Sequence, residues 1–452
     1  MSGEESFIPR RTLAYVRGID TEGNVGLQAT TSVPTMASGY GRRKVGVIGD
    51  SIGADAISYT STLKYWTNWA WIAWMRRYCG PRIDLPMERV YAVGGAKLSD
   101  VYNATTRVVG TQLTQALADN IDICIVHIGT NSIGVETTAN MVTEYTEIFT
   151  RLRNNGTFCI IMPIRVHNSP LSYTGTDLLQ FSYINNWIEE YSRTQRGMLY
   201  LDVNQIYMDF STGNAQSIYL RDGVHDNQRS AQMMGKYVGG VINSLIVDTT
   251  ARFMSLGDVY DATNNRTGNL VANGLLAGSA GSLTNGATGA APTSWTGSRA
   301  VNSGTVTAAF SKITNPALVG LEKTSIQVGG TADGNDVTLF QYSASGVVSA
   351  GDSVYAECEI DYNITTTRIL GIQLELFISD SGFAVIGRTI DGYFGLINGT
   401  MAAGTDSLTL RTDPIVALAG ATYITAMVHV ATDNTGALND VVNVGRISAR
   451  KV

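Results

Sequence analysis

A chain of 452 residues exceeds one ordinary hydrophobic core and predicts two or three domains of roughly 100–200 residues each. Charged residues make up 15% of it, the net charge is −6 and no basic block is present, which excludes nucleic acid and anionic membrane surfaces as expected partners. No run reaches the ~18 apolar residues a spanning helix needs, and Met1-Ser2-Gly3-Glu4-Glu5-Ser6 lacks the basic-then-apolar pattern of a secretion signal.

Residues 1–40 are polar and Thr/Gly-rich, with one short alternating piece at 13–17, and predict an extended N-terminal arm. Between 41 and 249, apolar runs at 44–48, 89–93, 123–128, 158–164 and 198–203 alternate with helical stretches at 63–78, 113–119, 139–153 and 183–194. Alternation of this kind predicts βαβ units, an α/β domain with a parallel sheet covered on both faces. From 250 to 452 helical periodicity fades, and alternating strands at 352–360, 368–378 and 423–430 predict an all-β sandwich. Cys79, Cys124, Cys159 and Cys358 are scattered without CxxC spacing and read as buried free thiols, not a zinc site or a disulfide framework.

Chemistry concentrates in four short stretches. The run Val45-Gly46-Val47-Ile48-Gly49-Asp50-Ser51-Ile52-Gly53 delivers Ser51 to the carboxyl end of a strand, where open α/β sheets place their ligands, with Gly49 and Gly53 expected to sharpen the turn. A second strand ends at Gly94-Gly95, whose backbone a substrate can approach closely, and a third ends in Gly129-Thr130-Asn131, offering a side-chain amide. In Asp222-Gly223-Val224-His225 a carboxylate precedes a histidine by three residues, a spacing that lets Asp222 meet Nδ1 while Nε2 faces a serine. The tripeptide alone is a weak signal, because Gly351-Asp352-Ser353 repeats it where the pattern reads as a turn into a strand.

In order along the chain, these blocks resemble those of the SGNH/GDSL hydrolase family over about residues 44–248. The resemblance implies a flavodoxin-like three-layer α/β/α domain, with Ser51 as nucleophile, His225 as general base and Asp222 as its orienting acid. It implies an oxyanion hole made of the Ser51 N–H, the Gly95 N–H and the Asn131 side chain. No Asn precedes the glycines of the second block, and Ser132 stands where an Asp is frequent. No cofactor or metal is called for.

Among the other candidates, His127 and His429 read as residues of a core strand and a sandwich face, whereas Arg165, His167 and Asn168 follow a strand end and are candidate substrate contacts. Trp66, Trp69, Trp71 and Trp74 fall at helical spacing and are expected to pack rather than to stack on a sugar. Asn269–Gly274 and Pro292–Trp295 resemble the opening of jelly-roll carbohydrate-binding modules, with a purely structural sandwich equally open. Asp333-Gly334-Asn335-Asp336 could offer oxygen ligands to calcium but reads rather as a turn, because the loop lacks the longer ligand spacing.

The expected function is a serine esterase removing acyl groups, O-acetyl groups foremost, from a carbohydrate or polysaccharide. A lipid esterase or thioesterase, and a non-catalytic glycan- or receptor-binding protein, are the alternatives. The Gly/Thr/Asn-rich β composition and polar arm also resemble phage tail proteins, which implies an extracellular or virion-associated setting and a homo-oligomer, a trimer in the phage case.

Overall fold

The computed structural model describes residues 42–452 apart from short stretches at 60–62, 103–111, 169–171, 247–254, 256, 301–304, 316–320, 333–336, 395–398 and 434–435, together with two upstream strands. Those strands, Ala14–Ile19 and Val25–Thr30, pair antiparallel, so a hairpin lies within the segment expected to be an extended arm. The loop considered for calcium, 333–336, lies outside the described residues.

The first region is built on a parallel sheet in the order Met198–Tyr200, Phe158–Ile161, Ile123–His127, Arg43–Gly49, with Ile83–Asp84 and Val90–Ala92 both pairing with the last. Every residue of Ile123–His127 is buried, the pattern of a strand with protein on both faces. Around it run α1 (Ser51–Ala54), α2 (Trp71–Cys79), α3 (Leu98–Tyr102), α4 (Gln112–Ala118), α5 (Thr138–Asn154), α6 (Gly175–Thr194), α7 (Asn204–Tyr207) and α8 (Gln228–Leu245). Helices α2 and α8 cross so tightly that a Cβ on Gly235 would lie 2.3 Å from the Trp74 Cβ and 2.7 Å from the Trp71 carbonyl oxygen. Cys79, Cys124, Cys159 and Cys358 are all buried and unbridged.

The second region is all β. One sheet runs Thr288–Gly289, Thr307–Thr314, Glu322–Ala332, Gly436–Lys451, Ser353–Ile364, Gly404–Arg411, with Ile415–Val416 on Ser353–Ile364. The other runs Ser282–Thr284, Thr296–Ala300, Val337–Ser345, Tyr423–Thr432, Ile369–Ser379, Val385–Asp391, and continues into Lys64–Trp66 and Ile57–Tyr59 of the first region. Trp295, stacked on Phe340 at 4.4 Å, belongs to the shared core, and Asn269 pins the Ala449 N–H and the Ile447 carbonyl. Trp295 and Asn269, one from each motif compared with a carbohydrate-binding module, are thus packed inside the β region, whereas Ala272, Thr293 and Ser294 of the same motifs are exposed. Asp352, of the second Gly-Asp-Ser, accepts the Ser349 N–H at 2.7 Å in a turn, and Ser353 starts a strand.

The helix expected over 63–78 begins only at Trp71, because Lys64–Trp66 is recruited as a strand by Ile390 and Asp391. Trp66, Trp69, Trp71 and Trp74 are all buried. Arg76 and Arg77 of α2 join the regions: Arg77 bonds Asp391 at 2.9 Å, Asn68 Oδ1 at 2.8 Å and the Thr67 carbonyl at 2.9 Å, while Arg76 and the Trp66 indole N–H both reach Asp413.

Candidate active site

The position of Ser51 is set by a cap. Asp50, with extended backbone, closes the strand Arg43–Gly49 and accepts the Ile52 N–H at 3.1 Å, so Ser51 becomes the first residue of α1. Gly53 is required for closeness rather than for the turn expected of it: its φ is not positive, and a Cβ there would lie 2.9 Å from the Ala92 Cβ. Ser51 is thus presented where the strand Val90–Ala92 also ends.

Across from it, the loop before α8 carries His225. Arg221 N–H donates to the His225 carbonyl at 2.9 Å, and Asn168 N–H to the Gly223 carbonyl at 2.9 Å, which folds the loop back on itself and props it from below. Asp222 Oδ1 accepts the Val224 and His225 N–H groups at 3.1 and 2.8 Å, and its Oδ2 lies 2.8 Å from His225 Nδ1. His225 Nε2 in turn lies 2.8 Å from Ser51 Oγ. With Nδ1 donating to a carboxylate, Nε2 is the acceptor for the serine proton. Burial raises the Asp222 carboxyl, but the N–H donors and His225 outweigh it and hold the group down at about 2, so it stays ionised.

The facing wall is made by two loops tied together. Val93 N–H donates to the Gly49 carbonyl at 3.2 Å, and Gly95 follows with φ of +74°. Asn131 Nδ2 donates to the Ala96 carbonyl at 3.0 Å, buried Ser132 Oγ accepts the Leu98 N–H at 2.9 Å, and Glu136 accepts the Ser99 N–H at 3.2 Å and the Ser99 hydroxyl. Ser132, a departure from the usual Asp, therefore still fastens the start of α3.

Two expected substrate contacts are corrected. Arg165 is fully buried, with Nη1 2.6 Å from Asp226 Oδ1 and its guanidinium 4.7 Å from the Tyr207 ring centre, so no substrate reaches it. His167 is buried against Tyr173, ring centres 4.7 Å apart. His127 is in the core as expected, edge-on to Trp71, but neither ring nitrogen has a hydrogen-bond partner among the described residues; burial and then Arg165 push its pKa down to about 3. His429 lies on a sandwich strand, Nε2 2.9 Å from Glu375 Oε2.

Sequence reasoning missed Arg221, which pairs with Asp55 at the end of α1 and approaches Asp222 Oδ2 at 3.8 Å, and it missed Asp226. Their positions beside Asp222 and His225 were visible; their partners, 166 and 61 residues away, were not.

The family model described as GDSL-like Lipase/Acylhydrolase matches residues 47–232. Among solved structures, a carbohydrate esterase family 3 protein from Talaromyces cellulolyticus is 16% identical, with 45% of this chain and 97% of that one covered and a TM-score of 0.32. A catalytic mutant of an acetylxylan esterase from Geobacillus stearothermophilus is 12% identical, covering 45% and 95% at a TM-score of 0.33. An acetyl xylan esterase is 15% identical, covering 44% and 99% at 0.34. No curated protein matches the chain. The match runs from the end of the strand that delivers Ser51 through the two loops of the facing wall to the Asp222–His225 turn, so that residues 47–232, about two fifths of the chain, are similar to the GDSL-like lipase/acylhydrolase family.

Proposed function

We propose that the protein is a serine esterase removing acyl groups, O-acetyl groups foremost, from a carbohydrate. The observation that carries the reading is the unbroken chain from Ser51 Oγ to His225 Nε2 at 2.8 Å and from His225 Nδ1 to Asp222 at 2.8 Å. Neutral His225 takes the serine proton as Oγ attacks the ester carbonyl, and later returns it to the leaving alkoxide. Water, activated by the same imidazole, then hydrolyses the acyl-enzyme. The Ser51 N–H, Gly95 N–H and Asn131 amide hold the tetrahedral oxyanion, and loss of one such donor costs about 10²–10³ in turnover. Asn131→Ala is therefore expected to lower kcat by that factor and to leave the thermal transition in place.

A small acyl group on a polar alcohol suits a site whose base and acid are flanked by the charged pair Arg221–Asp55. The carbohydrate assignment also draws on the attached β region and the sparsely charged, Gly-rich composition. We place the protein outside the cell or on a virion, as a homo-oligomer; a monomer in sedimentation at micromolar concentration would contradict the oligomer. Acetate release across a panel of O-acetylated polysaccharides, with Ser51→Ala as control, tests the substrate class. Preference for long-chain p-nitrophenyl esters over the acetate would favour a lipid esterase, and no turnover of any ester would favour a binding protein.

A further inference from the structure

Beneath the triad lies a buried charge cluster that the reaction as written does not use. Arg165, carried on the segment after the strand Phe158–Ile161, is fully buried and grips Asp226, itself 2% exposed, at 2.6 Å. Asp226 immediately follows His225, and Asp50, which immediately precedes Ser51, is 1% exposed and close enough for the guanidinium to act on its charge. One cation thus grips the residue after the base and acts electrostatically on the residue before the nucleophile. Asp226 Oδ1 also accepts the Ser230 hydroxyl at 3.3 Å and Asp50 Oδ1 the Ile52 N–H at 3.1 Å, while Arg165 Nε and Nη2, Asp226 Oδ2 and Asp50 Oδ2 have no hydrogen-bond partner among the described residues. Replacing one charge in such a place leaves another uncompensated.

We propose that Arg165 is a positioning residue for ester hydrolysis: its guanidinium, locked on Asp226, holds the His225 loop in register with Ser51. The proposal rests on reading Ser51, His225 and Asp222 as the triad. It differs from a general packing role because the carboxylate it grips, Asp226, is the chain neighbour of His225, on the loop that must meet Ser51. Other groups surround the cluster. Besides Ser230, whose hydroxyl lies 3.3 Å from Asp226 Oδ1, Tyr207 acts on Asp226; His225, Thr130, Tyr145 and Tyr173 interact electrostatically with Asp50, and His127 does so with Arg165. Burial opposes the Arg165 charge, but Asp226, Tyr207 and Asp50 outweigh that, so the guanidinium stays charged.

The test measures kcat and KM for p-nitrophenyl acetate against pH in Ser51→Ala, Arg165→Met, Asp226→Asn and the double variant Arg165→Met/Asp226→Leu. Ser51→Ala is expected to be inactive; retained hydrolysis there would remove the triad reading itself, separately from this proposal. Arg165→Met and Asp226→Asn are each expected to lower kcat about 10²-fold, the cost of a displacement near 1 Å, with KM within about two-fold of wild type. The acid limb of kcat/KM should move to higher pH when the cation is removed and to lower pH when the anion is removed, a pair of opposite shifts that lost packing does not produce. The double variant removes both charges of the pair, leaving neither uncompensated, and should still unfold in one cooperative transition yet remain slow. Wild-type kcat in either folded single variant or in the folded double variant overturns the proposal. If none of the three folds, Arg165→Lys decides: reduced kcat with a shifted limb supports positioning by the fork, and wild-type behaviour overturns it.

Discussion

Two carboxylates near Ser51 and His225 have been driven in opposite directions. Asp222 is held at about 2 by donors that favour its charge, whereas burial of Asp50 raises it to about 6 against the Ile52 N–H, Arg165, His225 and Thr130. A carboxyl whose folded pKa is raised contributes stability fully present below the unfolded value of 3.8 and lost as pH rises through about 6. The Asp50 contribution is roughly 3 kcal/mol between those limits. Asp50→Asn keeps the oxygen that caps α1 and removes the titration, so its thermal midpoint should exceed that of wild type at neutral pH and lose the advantage near pH 4. Equal differences at both pH values would contradict this. At this scale the sequence was most legible for Ser51, Asp222 and His225, because adjacency and spacing bring Asp222 to His225. It was least legible for Arg165, since a charged residue after a strand end reads as cleft-facing until its distant partner Asp226 is known.

Elements were legible where one strand carries its own burial signal. The runs at 44–48, 123–128 and 158–164 gave Arg43–Gly49, Ile123–His127 and Phe158–Ile161 because strands covered on both faces must be apolar throughout. Lys64–Trp66 was not legible, since its pairing partners Ile390 and Asp391 lie over three hundred residues away and override a helical pattern. The α2–α8 crossing is likewise a tertiary fact. It is only as close as Gly235 permits, so Gly235→Ala should destabilise by about 1–3 kcal/mol through overpacking. Thermal unfolding would check it, and an unchanged midpoint would show that the helices separate freely.

At the scale of the molecule, the chain boundary near 250 does not coincide with a boundary in space. Strands Ile57–Tyr59 and Lys64–Trp66 extend a sheet of the second region, and Trp74 and Ala231 sit in its core cluster. The fully buried Arg77–Asp391 pair locks this joint. Removing one partner of a buried pair typically costs about 3–5 kcal/mol, so Asp391→Asn should lower the thermal midpoint sharply while both regions still melt in a single transition. Two separated transitions in the wild type would contradict a shared joint. The central claim is that Ser51, activated by His225, forms a covalent acyl-enzyme. Intact-protein and peptide mass spectrometry after reaction with a fluorophosphonate tests it most directly, because serine attack at phosphorus expels fluoride and leaves a stable adduct. The account predicts one adduct, located on Ser51 and absent from both Ser51→Ala and His225→Ala. An adduct that persists in Ser51→Ala, or none in the folded wild type, would contradict it.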